Sequence, residues 1–323
     1  MYNNSLKIVD IVIMTYKPTY KFILLIDSLL KQDYSINKIY IINTEENELY
    51  TNLSTSDQKK LNTFLNNDKV FLINIKEESF DHGASRNIII KYSNAEYIIF
   101  FTNDVIPYDK YLVGKLVNGI NKDNSIKASY ARQIPYNDAY YKEILIRNFN
   151  YPDYDIIKSI DTNNLYRIKN YFMSNVCAIY DMEFFKKNNG FIENIILNED
   201  TYYAYKVINN GYKVLYNSDA KVYHSHNYNY IKQFKRYFDI GVSHNKDSIV
   251  LKNIDSKKEG LKLFKYVFYN MIIRFKIISL IDFIIDTIFR YIGYILGKNY
   301  KYLSYNTCLK FTMNKNYFLR NNN

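Results

Sequence analysis

The stretch IVDIVIM, residues 8–14, is apolar at every position except Asp10 and rich in β-branched side chains, the pattern of a strand buried on both faces of a parallel sheet. After Thr15 and a turn holding Pro18, the residues Phe22, Leu25, Ile26, Leu29 and Leu30 recur at helical spacing, and residues 38–42 (KIYII) return to strand character. Residues 70–75 and 97–101 (YIIFF) read as further strands, with a short helix expected over 86–92 between them. Such alternation predicts an α/β fold whose mostly parallel sheet is covered by helices. Ligands of such sheets bind beyond the carboxyl ends of the strands, so Thr15, Asn43 and the run Thr102-Asn103-Asp104 are expected around one crevice.

The second half is less regular. It reads as a helix after Tyr108, an extended stretch over 130–134, a strand-like 173–180 and a helix over 200–209, for which Gly211 is a natural C-cap. A chain of 323 residues with 48% hydrophobic content accommodates one large mixed domain and an appended element. The chain turns polar over 245–258, which places the expected boundary between a domain at 1–245 and a C-terminal region at 246–323. Cys177 and Cys308 lack metal-ligand spacing, so neither a disulfide framework nor a zinc site is suggested and a reducing cytosol fits. Only a short apolar stretch precedes Asp10, too little for a signal-peptide core.

The net charge of +11 is concentrated late: residues 251–323 carry 13 Lys/Arg against 4 Asp/Glu. The apolar run at 277–289 is interrupted by Asp282 and Asp286 and followed by Arg290, short of the ~20 apolar residues of a membrane span. If 277–297 is helical, Asp282, Asp286 and Arg290 fall on one face, while Ile281, Ile284, Ile285, Ile288, Ile292 and Ile295 cover the other. Such a helix buries its apolar face in lipid headgroups or against the domain. The basic excess around it predicts attraction to an anionic membrane surface. A nucleic-acid partner is excluded by the mixture of this charge with apolar runs and by the absence of a reader motif. The turn TYKPTY at 15–20 lacks the glycines of a nicotinamide-dinucleotide fingerprint.

Four groups of residues carry possible chemistry. Asp104 closes an apolar strand, where a carboxylate holds Mg²⁺ or Mn²⁺ against phosphate or simply caps a turn. Asn198-Glu199-Asp200 precedes a helix, so the two acids are a candidate general base or a complement to the helix dipole. His224 and His226 in VYHSHNY share one face of an extended segment and suit metal or phosphate contact. Gly83 and Arg86, in a turn opening a short helix, suit an anion or a plain surface turn.

Together these segments resemble the inverting glycosyltransferase family 2, and within it the bacterial rhamnosyltransferase branch. The matching pieces are FDHGASRN (80–87), FTNDV (101–105), ARQIPYNDA (131–139), RNFNYP (147–152), SNVCAIY (174–180), ILNED (196–200) and AKVYHSHNYNYIKQFKRYFDIGVSH (220–244). In the tail, YIGYILGKNYKYL (291–303) and MNKNYF (313–318) also match. The resemblance implies a Rossmann-like GT-A fold with a C-terminal helical amphipathic extension. It implies metal ligation of Mg²⁺ or Mn²⁺ by Asp104 and His224, and a catalytic base at Asp200 with Glu199 beside it. It implies donor contacts from Thr15, Tyr16, Asn43, His82, Arg86, Thr102, Asn103 and Asp104. The implied donor is dTDP-L-rhamnose, and the implied acceptor is a polyprenyl-diphosphate-linked oligosaccharide at the cytoplasmic face of the cell membrane. Two departures stand out: Asn43 replaces an acidic residue that contacts the base in many relatives, and Thr102 replaces the first carboxylate of the DxD motif, as in the rhamnosyltransferase branch. A UDP-hexose donor and a non-catalytic nucleotide-sugar binder are the alternatives.

Overall fold

The apolar run at 8–14 forms β1 (Val9–Thr15), buried along its whole length in the computed structural model, which describes residues 6–246 and 256–321. Asp10 stands in this strand because its carboxylate is satisfied by the Asn37 amide at 2.8 Å and the Ser93 hydroxyl at 2.6 Å. β1 pairs in parallel with β2 (Lys38–Thr44) and with β4 (Tyr97–Thr102), and β2 with β3 (Val70–Ile75). These four strands are the first half of the sheet, and the helices Tyr20–Leu30 and Thr55–Leu65 connect β1 to β2 and β2 to β3. Phe22, Leu25, Ile26 and Leu29 are buried in the same core cluster as Ile11 and Ile13. Each such side chain contributes about 1.5–3 kcal/mol by leaving water.

The second half of the sheet is mixed. It comprises β5 (Ile106–Pro107), β6 (Ile126–Ile134), β7 (Ile156–Lys158), β8 (Cys177–Asp181) and β9 (Lys213–Tyr223). The order is β3-β2-β1-β4-β8-β6-β9-β5, with β7 beside β9. β8 runs antiparallel to both neighbours, β4 and β6, while β6 and β9 are parallel. Among the described residues the sheet is therefore parallel on one side of β4 and mixed on the other. The pairing of β6 with β9 shifts register between Ile126 and Ala128 and between Ala131 and Arg132, and β5, which follows β4, pairs antiparallel with Val222 and Tyr223.

The polar stretch at 245–258, where a domain boundary was expected, lies mostly outside the described residues. Beyond it, the helices Ser256–Ile273 and Ile277–Lys298 pack on the body of the molecule. Val267, Met271, Leu280 and Phe283 share a core with Leu145 and Ile146 of the helix Tyr141–Asn150. The helix Ile277–Lys298 also lies tightly along the helix Tyr230–Lys246: a Cβ added at Gly297 would meet the Phe238 carbonyl at 2.0 Å, and one at Gly293 the Phe234 carbonyl at 2.3 Å. Only glycine permits that approach. The chain then returns to the body of the molecule: the Thr312 hydroxyl donates to Asp239 of the helix Tyr230–Lys246 at 2.6 Å, and Arg320 pairs with Asp81 at 3.1 Å.

Candidate active site

Asp104 lies just beyond β4, and His224 and His226 just beyond β9. The short β5–β9 pairing brings these strand ends together, and the His224 backbone N–H is fixed to the Ile134 carbonyl at 2.8 Å. His224 Nε2 and His226 Nε2 each lie 3.4 Å from Asp104 Oδ2. One ligand atom from each of the three residues falls within 4.8 Å of the others, a separation that suits a shared cation. Burial pushes both imidazoles down, His226 to about 3. Burial opposes ionisation of Asp104, but the two imidazoles and the Thr102 hydroxyl, which donates at 2.8 Å, hold its carboxyl well below the usual range. At neutral pH the cluster offers one carboxylate and two lone-pair nitrogens.

The tautomer of His224 is set from behind. Arg147 Nη1 donates to Gln133 Oε1, and Arg147 Nε donates to Glu143 at 2.9 Å. Gln133 Oε1 thereby faces His224 Nδ1 as an acceptor at 2.8 Å, and the Gln133 amide nitrogen donates to Ser174 at 2.9 Å. With its proton on Nδ1, His224 presents the lone pair of Nε2 toward Asp104. His226 stacks on Tyr228 with ring centroids 4.7 Å apart.

A crevice of about 690 Å³ opens beside the cluster, lined by Thr19, Tyr20, Lys21, Asn52, Ser54 and Asp57 together with Asp104 and His226. Asn103, beside Asp104, donates to the Tyr16 carbonyl at 3.1 Å. Thr15 and Asn43 are paired in register at the ends of β1 and β2 but are buried and do not line the crevice. The Asn43 amide donates to Asn74 at 3.0 Å and to the Glu45 carbonyl at 3.1 Å.

A second group forms where Asn198, in left-handed backbone at φ 71°, turns the chain into the helix Glu199–Asn209. Asp200 Oδ2 accepts from the Asn175 backbone N–H at 3.0 Å and Oδ1 from the Thr201 N–H at 2.7 Å. Burial, reinforced by the neighbouring Glu199 charge, pushes the Asp200 carboxyl up to about 7. Glu199 is itself buried, yet Arg86 at 3.3 Å and His82 keep its carboxyl below the usual value. Two adjacent carboxyls are thus driven apart, one held ionised and one poised near neutrality. Residues 174–175 join the two groups, since Ser174 meets Gln133 and Asn175 meets both Asp200 and Glu199.

Arg86, expected beside a donor diphosphate, and His82, expected among the donor contacts, are placed with Glu199. Arg86 is buried, donating also to the His82 carbonyl at 2.7 Å. Asp81 secures their turn through the backbone N–H groups of Gly83, Ala84 and Ile195. Gly83 is required there, because a Cβ would lie 1.8 Å from the Ile192 carbonyl. Gln133, Arg147 and Asn175 received no role from the sequence, although each sits inside a quoted segment, and the crevice wall at 52–57 carried no signal.

The family model for glycosyl transferase family 2 matches residues 10–188. The chain is 32% identical over 312 residues to the O-antigen chain rhamnosyltransferase RfbN of Salmonella typhimurium, covering 96% of each chain. It is 33% identical over 268 residues to the O-antigen chain rhamnosyltransferase WbaN of Salmonella anatum, covering 82% of this chain and 83% of that one. Among solved structures, the mannosyltransferase PcManGT from Pyrobaculum calidifontis, in complex with GDP-Man and Mn²⁺, aligns with a TM-score of 0.54 at 12% identity, covering 98% of this chain and 86% of that one. S. aureus TarS 1-349 aligns at 0.53 and 14% identity, covering 94% and 80%. At such identities the structural likeness speaks for the GT-A fold alone, but the sequence matches are extensive, and this chain belongs to glycosyltransferase family 2.

Proposed function

We propose that the protein transfers L-rhamnose from dTDP-L-rhamnose, with inversion, to a hydroxyl of a growing cell-surface glycan. The acceptor is a polyprenyl-diphosphate-linked oligosaccharide at the inner face of the cell membrane. The observation that carries the sugar assignment is the 32% identity to an O-antigen chain rhamnosyltransferase across 96% of both chains.

Asp200 is the base in this reading. It takes the acceptor hydroxyl proton while the oxygen attacks the anomeric carbon from the face opposite the diphosphate, and the bond from that carbon to the diphosphate oxygen breaks. The ionised Glu199 raises the proton affinity of Asp200, Arg86 and His82 hold Glu199 ionised, and two backbone N–H groups aim the Asp200 carboxylate. These are positioning roles for Glu199, Arg86 and His82. Asp104, His224 and His226 would hold a divalent cation, whose charge stabilises the leaving diphosphate. Their donor set fits Mn²⁺ better than Mg²⁺, because Mg²⁺ takes oxygen ligands almost exclusively. The nucleotide lies in the crevice beside Asp104, with Lys21 on its wall.

The test is turnover on a panel of dTDP-L-rhamnose, UDP-glucose and UDP-galactose, each with Mn²⁺, with Mg²⁺ and with chelator. Preference for dTDP-L-rhamnose with loss in chelator is expected; preference for a UDP-hexose overturns the donor assignment.

A further inference from the structure

The helix Ile277–Lys298 has the two faces expected of an amphipathic helix, but its charged face is the one turned inward. Asp286 is fully buried, with Arg290 Nε 2.6 Å from one of its oxygens and the buried Lys142 Nζ 3.4 Å from the other. Lys142 also pairs with Asp282 at 2.8 Å, and the Tyr230 hydroxyl donates to Asp282 at 2.6 Å. Leu280 and Phe283 pack inward beside Asp286, while a second apolar stripe looks out: Ile278 is 86% exposed, Ile281 55%, Ile288 51% and Ile292 46%. Rolling the helix to hide these residues would strand Lys142 without a carboxylate and lift Gly293 and Gly297 from the helix Tyr230–Lys246. The outward orientation is therefore locked by charge and by close packing.

The turn before this helix extends the same surface. Phe275 is 86% exposed and sits at φ 53°, a left-handed conformation costly for an aromatic residue that gains no packing in return. Arg274 and Lys276 flank it, Lys298 and Lys301 lie at the far end, all four are exposed, and none forms an ion pair with a described carboxylate. Exposed Tyr291 and Tyr302 add rings suited to a headgroup layer. No helix among the described residues is long and apolar enough to cross a membrane.

We infer that the face running from Phe275 along the outer stripe of Ile277–Lys298 docks on a bilayer surface carrying anionic headgroups. This rests on the membrane-linked acceptor proposed above and adds to it the docking surface. Charge favours lipid over a second copy of the chain, since two such faces together would oppose four unneutralised cations with four more. The apolar stripe enters the headgroup boundary while the basic rim meets the anionic lipid.

The test is co-sedimentation of the full chain with vesicles of phosphatidylcholine alone and of phosphatidylcholine with phosphatidylglycerol, at low and high salt. Wild type is expected to bind the mixed vesicles and to be weakened by salt. The pair Phe275→Ser with Ile278→Ser should weaken binding ~10-fold or more while leaving the thermal melt and transfer to a water-soluble acceptor unchanged. The pair Lys276→Glu with Lys301→Glu should abolish the preference for phosphatidylglycerol. Wild type remaining in the supernatant, variants binding as wild type does, or a wild-type dimer that Phe275→Ser with Ile278→Ser dissociates would each overturn the inference. Vesicle binding by a protein that fails to transfer sugar would instead overturn the catalytic reading and leave the docking surface intact.

Discussion

In the proposed mechanism Asp200 takes the proton of the acceptor hydroxyl, so changing it to Asn removes that function while keeping shape. The Asn175 and Thr201 N–H groups that hold the side chain are backbone donors, so one of them keeps an acceptor in the amide while the other faces an NH₂ group. Loss of a positioned general base typically costs ~10²–10⁴ in rate. Donor and metal affinity should change little, because Asp104, His224 and His226 are untouched. The wild-type pH profile carries the sharper signature. The Asp200 carboxyl titrates near 7, pushed there by burial and by Glu199, and only its ionised form accepts a proton. Transfer should therefore be full above that midpoint and fall about tenfold per unit below it, reaching roughly a hundredfold loss two units down. The limb should vanish in Asp200→Asn, and Glu199→Gln should move it to lower pH by removing the neighbouring charge. The assay is initial transfer rate against pH at saturating donor, beside calorimetric titration of dTDP with Mn²⁺. Near-native transfer by Asp200→Asn, or a flat wild-type profile across the neutral range, would refute the assignment.

Asp104→Asn and His224→Ala should weaken Mn²⁺-dependent dTDP binding as well as turnover, with partial rescue at high Mn²⁺; calorimetry showing unchanged metal dependence would remove them as ligands. Gln133→Leu removes no proposed metal ligand but takes away the acceptor at 2.8 Å that holds the His224 ring, so Mn²⁺ affinity measured by titration should fall ~10–100-fold. Asp286→Ala leaves Lys142 and Arg290 without a buried carboxylate, and the chemical-denaturation midpoint should drop by an amount worth about 3–5 kcal/mol; an unchanged midpoint would mean the buried pairs are solvated.

The first half of the fold was legible because its interior strands are buried on both faces, so their apolar runs need no partner to be recognised. Asp10 shows the limit of that reading, since Asn37 and Ser93, which make it tolerable, are remote in sequence. β5 and β7, two and three residues long, are too short for any periodicity, although β5 is what draws Asp104 and His224 together. The antiparallel course of β8 depends on long-range pairing that local pattern does not encode. In the tail, the stripe of Asp282, Asp286 and Arg290 was readable at helical spacing. Which face would turn inward was not, because Lys142 decides it from another helix. Similarly, Asp200 stood out as an acid at a helix start, while the surroundings that raise its carboxyl come from Glu199, Asn175 and burial in the folded chain.

A single displacement inverts the anomeric carbon, so the configuration of the product reads the proposed mechanism directly. With dTDP-β-L-rhamnose as donor, Mn²⁺ and a lipid-linked oligosaccharide acceptor, nuclear magnetic resonance of the purified product should show an α-linked rhamnosyl residue. A β-linked product would mean retention through a covalent or front-face route, and would contradict the role of Asp200 as the base of an inverting displacement.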